Sequence, residues 1–481
     1  MQGGPFIVGV IGHFSGPRPP AALEQQGSRA RFRDIDRDNF DAELSRLAPQ
    51  IQVDLPFCRT LRFSDWGDFH PDGLTERIPA LDKLLEARKS VGDAARMRRC
   101  LEQAGVAFTR LTAAEDAGEA GAEARRDAAP PASESELLDS MLGGGPGEEA
   151  APRGRPGSDP ATSSFDHMIR EIVDSSGDGT DYAQQDRWRE AIDGELAERV
   201  RALLWHPEFR RLEAAWGSLR ELVRQSDTDG AVRIRMLDWT REELLAELSE
   251  PGDTPKLAES TLYRLVAESE PGLPGERPFD LLVTDFRFDT ESESLRLLSY
   301  LVELAERARV PMLAAATGRA ADIQDASEQE LQAWVSLQGR SGARWIGLCT
   351  PEILLRLPYG SQAEPIESFA FEEPARREQP ESYAWGSPAF AVARAVTRAY
   401  GEDGDLSGLP RFTEIENLPL HVYRNDDEIQ QQGPVREVFT EPRIEACQLM
   451  GLIPVVAPRG RDSVRILSLR SLGGSSLFGG S

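Results

Sequence analysis

The sequence predicts an α/β protein with a small N-terminal α/β domain, a disordered linker, a larger α/β domain that opens with helices, and a C-terminal α+β extension. Apolar strand-like segments alternate with amphipathic helical segments on both sides of the linker. The 481 residues are enough for about three domains. Composition changes sharply near residues 112 and 164. The predicted boundaries are 1–112, 113–164, 165–405, 406–472 and a flexible tail at 473–481.

The N-terminal domain is predicted from short alternating segments and two helical ones. An apolar strand covers residues 6–11, and a helix follows at about 38–48. Ile51, Val53 and Leu55 alternate with polar residues as in a half-buried strand. Helices at 74–88 and 93–104 are expected to close the domain.

The linker is rich in Ala, Gly, Glu, Pro and Ser and has almost no aromatic or β-branched residues. Such a composition buries too little apolar surface to offset the chain entropy lost on folding. One exception is a short amphipathic helix predicted at 133–142, whose apolar face consists of Leu137, Leu138, Met141 and Leu142. The alternative interpretation is a chance apolar cluster in the linker.

The larger domain is predicted to hold a mainly parallel sheet with helices on its faces, because strands and helices alternate from residue 232 onwards. Thr240 and Glu243 have the spacing of a capping box at the start of one of these helices. The predicted strands lie at 232–236, 279–284, 310–316 and 345–349, and the main helices at 240–248, 295–308 and 327–338. Shorter strands at 418–423, 436–440 and 464–469 predict the α+β extension.

Composition excludes several classes of partner and compartment. The formal net charge of −26 opposes binding to nucleic acid or to an anionic membrane surface. The four cysteines are widely scattered, which indicates reduced thiols in a cytosolic protein. No segment approaches the roughly 20 apolar residues of a membrane span.

No motif predicts a catalytic residue, a cofactor or a metal. The glycines at 9–16 lack the spacing of a dinucleotide or phosphate loop. No two of the five histidines lie at metal-ligand spacing along a helix. His70, between Asp68 and Asp72, is compatible with a metal site, but Pro71 and Asp72 are better explained as a helix start. The acidic pair 372–373 is expected to lie on a solvated face.

The most informative segment is LLWHPEFRRLEAAWGSLRELV at 203–223. Pro207 hinges two helical pieces, and large apolar residues recur every three or four positions as in a buried stripe. The stripe consists of Phe209, Leu212, Trp216, Leu219 and Val223. The segment therefore predicts packing rather than catalysis.

Residues 1–112 resemble the small subunit of the contractile sheath of type VI secretion systems, the VipA/ImpB/TssB family. The matching motifs are FSG (14–16), IDRDNFD (35–41), FSDWGDFHPDGL (63–74) and PALDKLLEAR (79–88). The resemblance marks four signature residues: Phe69, His70, Pro71 and Asp72.

The region from residue 165 resembles the large sheath subunit, the VipB/ImpC/TssC family. Beyond 203–223, the matching motifs are FDLLVTDFRF (279–288), VPMLAAA (310–316), WIGLCTPEILLRLPYG (345–360), FAFEE (369–373), YAWGSPAF (383–390), GLP (408–410) and PVREV (434–438). The signature residues marked by this resemblance are His206, Pro207, Phe209, Leu212, Glu213, Trp216, Pro358, Tyr359 and Trp385.

The two resemblances imply a fused small and large sheath subunit, with the large part C-terminally shortened. Such a subunit is not an enzyme; it polymerises around an inner tube and drives it outward on contraction. The implied partners are other sheath subunits, the inner tube, the baseplate, and an AAA+ unfoldase that grips the helix at 133–142. The alternative is a sheath-like accessory or adaptor protein that does not polymerise.

Overall fold

The computed structural model describes residues 4–16, 30–106, 182–247, 257, 260–267, 279–321, 326–361, 363–377, 379–425 and 428–478. The helix predicted at 133–142 lies outside these residues. The chain divides into two compact units, one formed by Met1–Ile78 with Ala197–Ser481 and the other by Pro79–Leu196. The α/β fold class predicted from the sequence is confirmed.

The described residues form fifteen strands. In chain order they are β1 (Phe6–Gly12), β2 (Arg33–Ile35), β3 (Gln50–Leu55), β4 (Cys58–Arg62), β5 (Val232–Asp238), β6 (Leu281–Phe288), β7 (Met312–Ala316), β8 (Ile346–Thr350), β9 (Ile353–Leu354), β10 (Trp385–Gly386), β11 (Glu414–Ile415), β12 (His421–Asn425), β13 (Glu428–Gln432), β14 (Leu452–Val456) and β15 (Val464–Ile466). Nine of them form one sheet in the order β11-β15-β14-β8-β7-β6-β1-β5-β2. The pairs β3–β4, β9–β10 and β12–β13 are separate two-stranded sheets.

Strand β1 lies inside the nine-stranded sheet, between two strands that follow it by more than 200 residues. It pairs in parallel with β5 and with β6, so that Val10 lies opposite Met236 on one side and Val283 on the other. Six of its seven residues are buried, which explains why the segment is a nearly continuous apolar run. The first strand of the chain thus completes a sheet built mainly from the larger region.

The described residues form thirteen α-helices, four of which are not predicted from the sequence (261–267, 318–321, 388–403 and 441–449). They are α1 (Phe40–Leu47), α2 (Pro71–Arg77), α3 (Pro79–Lys89), α4 (Ala94–Gln103), α5 (Tyr182–Leu204), α6 (Pro207–Gln225), α7 (Arg241–Glu247), α8 (Thr261–Ala267), α9 (Ser292–Ala308), α10 (Gly318–Ala321), α11 (Glu328–Gln338), α12 (Pro388–Asp403) and α13 (Glu441–Leu449). The capping box at the start of α7 is confirmed, since Thr240 and Glu243 each accept a hydrogen bond from the other's backbone N–H.

Helices cover both faces of the sheet. The apolar stripe of α9 packs with Leu282, Ala314 and Leu348, and this core also takes in Trp334 of α11. Helix α12 packs against β6, β7 and β8 without belonging to that core cluster, so it covers the opposite face. Helix α6 packs against α12 and carries eleven buried residues.

The unit formed by Pro79–Leu196 contains α3, α4 and the first part of α5. Leu81 and Leu84 of α3 and Leu101 of α4 are fully buried. Arg88 donates to both carboxylate oxygens of Asp193, at 2.5 and 3.1 Å. This bidentate pair joins α3 to α5 within the unit.

Two predicted elements differ from the structure. The single helix predicted at 74–88 is two helices that meet at the extended residue Ile78, because Pro79 disfavours helical geometry in the residue before it. The strand predicted at 436–440 does not form; these residues lead into α13, and Val438 is 59% exposed.

The compact units also divide the chain differently from the predicted domain boundaries. Strand β1 shares a sheet with strands of region 165–405, and β14, from the predicted extension, pairs in parallel with β8. Within the predicted flexible tail, Leu477 is buried at 4% exposure, and its N–H donates to the carbonyl of Leu469. Alternation of apolar residues identifies a strand but does not show which other strand it pairs with. The pairings of β1 and β14 therefore do not follow from the sequence pattern.

Substituting Gly9 tests the insertion of β1. In Gly9→Ala the added Cβ lies 2.6 Å from Leu282 Cδ2 and 2.8 Å from Phe279 Cδ1, inside a packed core. We expect the free energy of unfolding, measured by urea denaturation, to fall by about 1–3 kcal/mol. The control is Gly4→Ala, where the new Cβ has no atom within 4 Å. Equal stability of the two variants would contradict the placement of β1.

Candidate functional site

The signature residues of the larger region are organised by the start of α6. Pro207 is the first residue of this helix, and His206 caps it: its Nδ1 accepts from the backbone N–H of Glu208 at 3.3 Å. A proline at the first helical position costs no hydrogen bond, because that N–H has no partner within the helix. The His-Pro pair therefore fixes the residue at which α6 begins and thus the side towards which its buried stripe faces.

Trp216 is the anchor of α6. Its side chain is fully buried, and its Nε1 donates to the carbonyl oxygen of Phe14 at 2.8 Å. The indole also meets the rings of Phe14 and Phe40 edge-on, with centroids 5.4 and 5.5 Å away. The prediction that Trp216 is buried is thus confirmed, and its contacts are with the N-terminal region.

A second aromatic group lies near the start of the same helix. Phe69 stacks on Phe63 with centroids 4.2 Å apart, and both rings lie 5.9 Å from the ring of Phe209. All three side chains are at most 1% exposed, and Leu212, one turn further along α6, is fully buried. Signature residues from the two family resemblances therefore share one core.

His70 and Asp72 act as backbone caps. His70 Nδ1 accepts from the backbone N–H of Asp72 at 3.2 Å, and α2 begins at the buried Pro71. The Asp72 carboxylate accepts from the backbone N–H groups of Glu367 and Ser368, both at 3.1 Å. The helix-start interpretation is confirmed. The part of the chain that the structure describes contains no group of three His, Cys, Asp or Glu side chains arranged to hold a metal.

A buried charge triad forms the centre of the site. Arg356 Nε lies 2.6 Å from Glu213 Oε1, and Arg356 Nη1 lies 2.8 Å from Glu373 Oε2. The side chains are 12%, 3% and 2% exposed for Arg356, Glu213 and Glu373. The Arg356 guanidinium also lies 4.0 Å from the ring centroid of Tyr359, whose backbone N–H donates to Glu373.

Burial and charge act against each other in this triad. Burial raises the pKa of the Glu213 carboxyl above its ordinary value, and the Arg356 guanidinium opposes that shift. Burial acts to lower the pKa of Arg356, but Glu213 and Glu373 outweigh it and raise that pKa well above its ordinary value. Burial also raises the pKa of the Tyr359 phenol. Arg356 therefore stays positively charged, and its charge stabilises the two buried carboxylates.

The remaining signature residues surround this triad and its neighbouring loops. Pro358 is buried beside Tyr359, and the ring of Tyr359 meets that of His70 edge-on at 4.9 Å. Trp385 packs with Leu354, Ala375 and Tyr383 in a separate small core, and its Nε1 donates to the carbonyl of Pro380.

Several residues of the site were not singled out from the sequence. They are Phe14, Phe40, Phe63, Arg356 and Glu373. Glu373 in particular is expected on a solvated face with Glu372, but its side chain is buried and ion-paired with Arg356. Two sequence signals point to Glu373: it belongs to the motif FAFEE (369–373), and it lies close to Phe369, Phe371 and Pro374 in a segment rich in charge. Chemically, Arg356 pairs with Glu213 and Glu373, while Glu213 Oε2 is buried without a hydrogen-bond partner among the described residues.

The triad can be tested by removing its cation. In Arg356→Met two buried carboxylates lose their partner, so we expect the free energy of unfolding to fall by about 3–5 kcal/mol in urea denaturation. Arg307→Met is the control, because Arg307 is 48% exposed and paired with Glu303 one turn away on the same helix. That control should change stability by less than about 1 kcal/mol. Similar losses in both variants would show that the triad contributes no more than a surface pair.

Comparison with known proteins agrees with both parts of this arrangement. Residues 186–473 match the VipB family, described as the EvpB/VC_A0108 tail sheath N-terminal domain. Residues 4–103 match the family described as "Type VI secretion system, VipA, VC_A0107 or Hcp2". The first match covers more than half of the chain.

Two relatives come from Pseudomonas aeruginosa (strain PAO1). The type VI secretion system sheath protein TssC1 is 28% identical over 299 residues, which are 59% of this chain and 60% of the relative. The sheath protein TssB1 is 31% identical over 97 residues, which are 18% of this chain and 55% of the relative. The chain thus spans less than two thirds of the length of either relative. One polypeptide joins a VipA-type region to a VipB-type region, and the chain belongs to the VipB tail sheath family of type VI secretion systems.

Proposed function

We propose that this chain is a structural subunit of a type VI secretion contractile sheath, in which the small and large subunits are fused. It polymerises around an inner tube and drives that tube outward when the sheath contracts. Family membership and the sheath proteins TssB1 and TssC1 support the proposal. The observation that carries it is the position of β1 between β5 and β6.

The shared sheet suits a building block that must move as a whole. A strand with parallel neighbours on both sides cannot leave without exposing two rows of unpaired N–H and C=O groups. Fusion in one chain also supplies the two regions in equal numbers. Force applied to either region is therefore carried by a continuous backbone hydrogen-bond network.

Contraction of such a subunit needs no bond cleavage within it. Two alternative packings of one interface store the free energy that is released when the sheath shortens. Strand addition at a sheet edge links neighbours through backbone hydrogen bonds while allowing them to pivot. Among the described residues, the nine-stranded sheet ends at β2 and β11, and such an addition would be made at one of these edges.

The proposed subunit is non-enzymatic and works in the bacterial cytoplasm. Its partners are other sheath subunits, the inner tube and the baseplate, and no cofactor takes part. Across the described residues, no helix has both the length and the apolar character needed to cross a membrane.

Electron microscopy of the purified protein tests polymerisation. We expect hollow tubules, whether the chain is expressed alone or together with the inner-tube protein, because the subunit carries both sheath regions. In a sedimentation experiment, the full-length chain should be found in the rapidly sedimenting fraction. Discrete small particles under both conditions would contradict polymerisation and would support the alternative of an accessory or adaptor protein.

An AAA+ unfoldase is proposed to disassemble the contracted sheath by gripping the segment 133–142. This segment lies outside the described residues, so the proposal rests on its pattern of Leu137, Leu138, Met141 and Leu142.

Changing the apolar face of this segment tests the proposal. Leu138→Asp with Leu142→Asp should abolish pull-down by the unfoldase and leave the thermal unfolding curve unchanged, because charge replaces two apolar contacts. Glu136→Gln with Asp139→Asn is the matched control on the polar positions and should bind as the unchanged chain does. Retained binding of the Leu138 and Leu142 variant would show that the apolar face is not recognised.

A further inference from the structure

The outer face of α4 is basic, although the whole chain has a formal net charge of −26. Residues 89–103 hold four basic and two acidic side chains, which gives them a formal charge of +2. The four basic side chains are all exposed: Lys89, Arg96, Arg98 and Arg99. On the other side of the helix Met97 and Leu101 are buried. Arg96 and Arg99 are three residues apart, so they are neighbours on the helix surface and open to a partner.

The carboxylates near this face do not balance it. Glu86 on α3 is held by Lys83, with Nζ and Oε2 2.8 Å apart. Asp93 caps α4, because its Oδ1 accepts from the backbone N–H of Arg96 at 3.0 Å. Arg96 and Arg99 form no ion pair with a described residue. The face therefore keeps a surplus of positive charge that solvent and other charged groups can reach.

The chain that follows α4 has the opposite charge. Segment 113–149, which lies outside the described residues, contains ten acidic residues and two basic ones, a formal charge of −8. Its first carboxylate, at Glu115, comes nine residues after Val106. Nine residues span up to about 30 Å, whereas a ten-residue helix such as α4 is about 15 Å long. The acidic segment is therefore long enough to reach every guanidinium group of α4.

We propose that segment 113–149 binds back onto the basic face of α4 within the same chain. Both belong to the unit Pro79–Leu196, and the direct covalent connection gives the segment a local concentration on the order of millimolar. Each exposed ion pair contributes little by itself, but ten carboxylates are available to the same few guanidinium groups. The bound segment covers a surface that would otherwise attract the acidic surfaces of neighbouring copies. This contact lies within one chain, so it does not depend on the proposed sheath function.

Carbodiimide cross-linking of the full chain tests this contact, because the reagent forms an amide between an amine and a carboxylate that lie in direct contact. The chain has three lysines, Lys83, Lys89 and Lys256, and Lys89 belongs to the basic face. Mass spectrometry of the digested protein should find Lys89 joined to carboxylates of segment 113–149. The yield should fall several-fold in about 1 M NaCl, where the Debye length is only about 3 Å.

Removing two charges from α4 makes the test specific. Arg96→Gln with Arg99→Gln should lower the yield of these cross-links about fivefold, because two exposed ion pairs are lost. The matched control is Arg307→Gln with Arg398→Gln, which removes two exposed arginines outside this unit and should leave the yield unchanged. The cross-link between Lys83 and its neighbour on α3, at the 2.8 Å contact, should form equally in every variant and so reports an intact fold.

A mixture of heavy-isotope-labelled and unlabelled chains identifies what occupies α4. Each cross-linked pair of peptides should be either fully labelled or fully unlabelled, as a contact within one chain requires. Mixed pairs would show that a second copy occupies the basic face, which would overturn the proposal. The absence of cross-links between Lys89 and segment 113–149, or equal yields in the α4 variant and the unchanged chain, would overturn it as well.

Discussion

The hydrogen bonds between β1 and its two neighbours are the constraint on which the rest of the large unit depends. Strands β5 and β6 are separated by the width of one strand, and residues Phe6–Gly12 fill that gap in parallel register with both. Val8, Val10 and Ile11 are fully buried there. Without β1 the sheet would present two unpaired inner edges, which proteins normally avoid. A region that matches one family is thus a structural part of the region that matches another.

Side-chain contacts reinforce the same connection. Trp216 joins α6 to the backbone of Phe14 just after β1, and the stacked rings of Phe63 and Phe69 pack on Phe209. The Glu213–Arg356–Glu373 triad adds a different kind of constraint. Burying charge costs free energy, so the loss of one partner of the triad would leave the remaining buried charge uncompensated.

Much of this architecture could be read from local patterns. The parallel strands, the capping box of α7 and the buried stripe of α6 follow from periodicity and from the known preferences of helix ends. Apolar periodicity continues across Pro79, so periodicity alone does not predict the break at Ile78. The proline itself was the available signal, because it removes one helical hydrogen bond. The strand predicted at 436–440 does not form either, and these residues are an irregular segment that precedes α13.

The sequence by itself determined the fold class, the family and the buried stripe of α6, because these depend on residues close together in the chain. Only the tertiary structure decided where β1 pairs and that Glu373 is buried beside Arg356. Each of these depends on residues brought together from distant positions, and a local pattern carries no information about its distant partner. Glu372 and Glu373 are adjacent and chemically identical, yet their environments differ. Glu372 is exposed, whereas Glu373 is buried and paired with the Arg356 guanidinium.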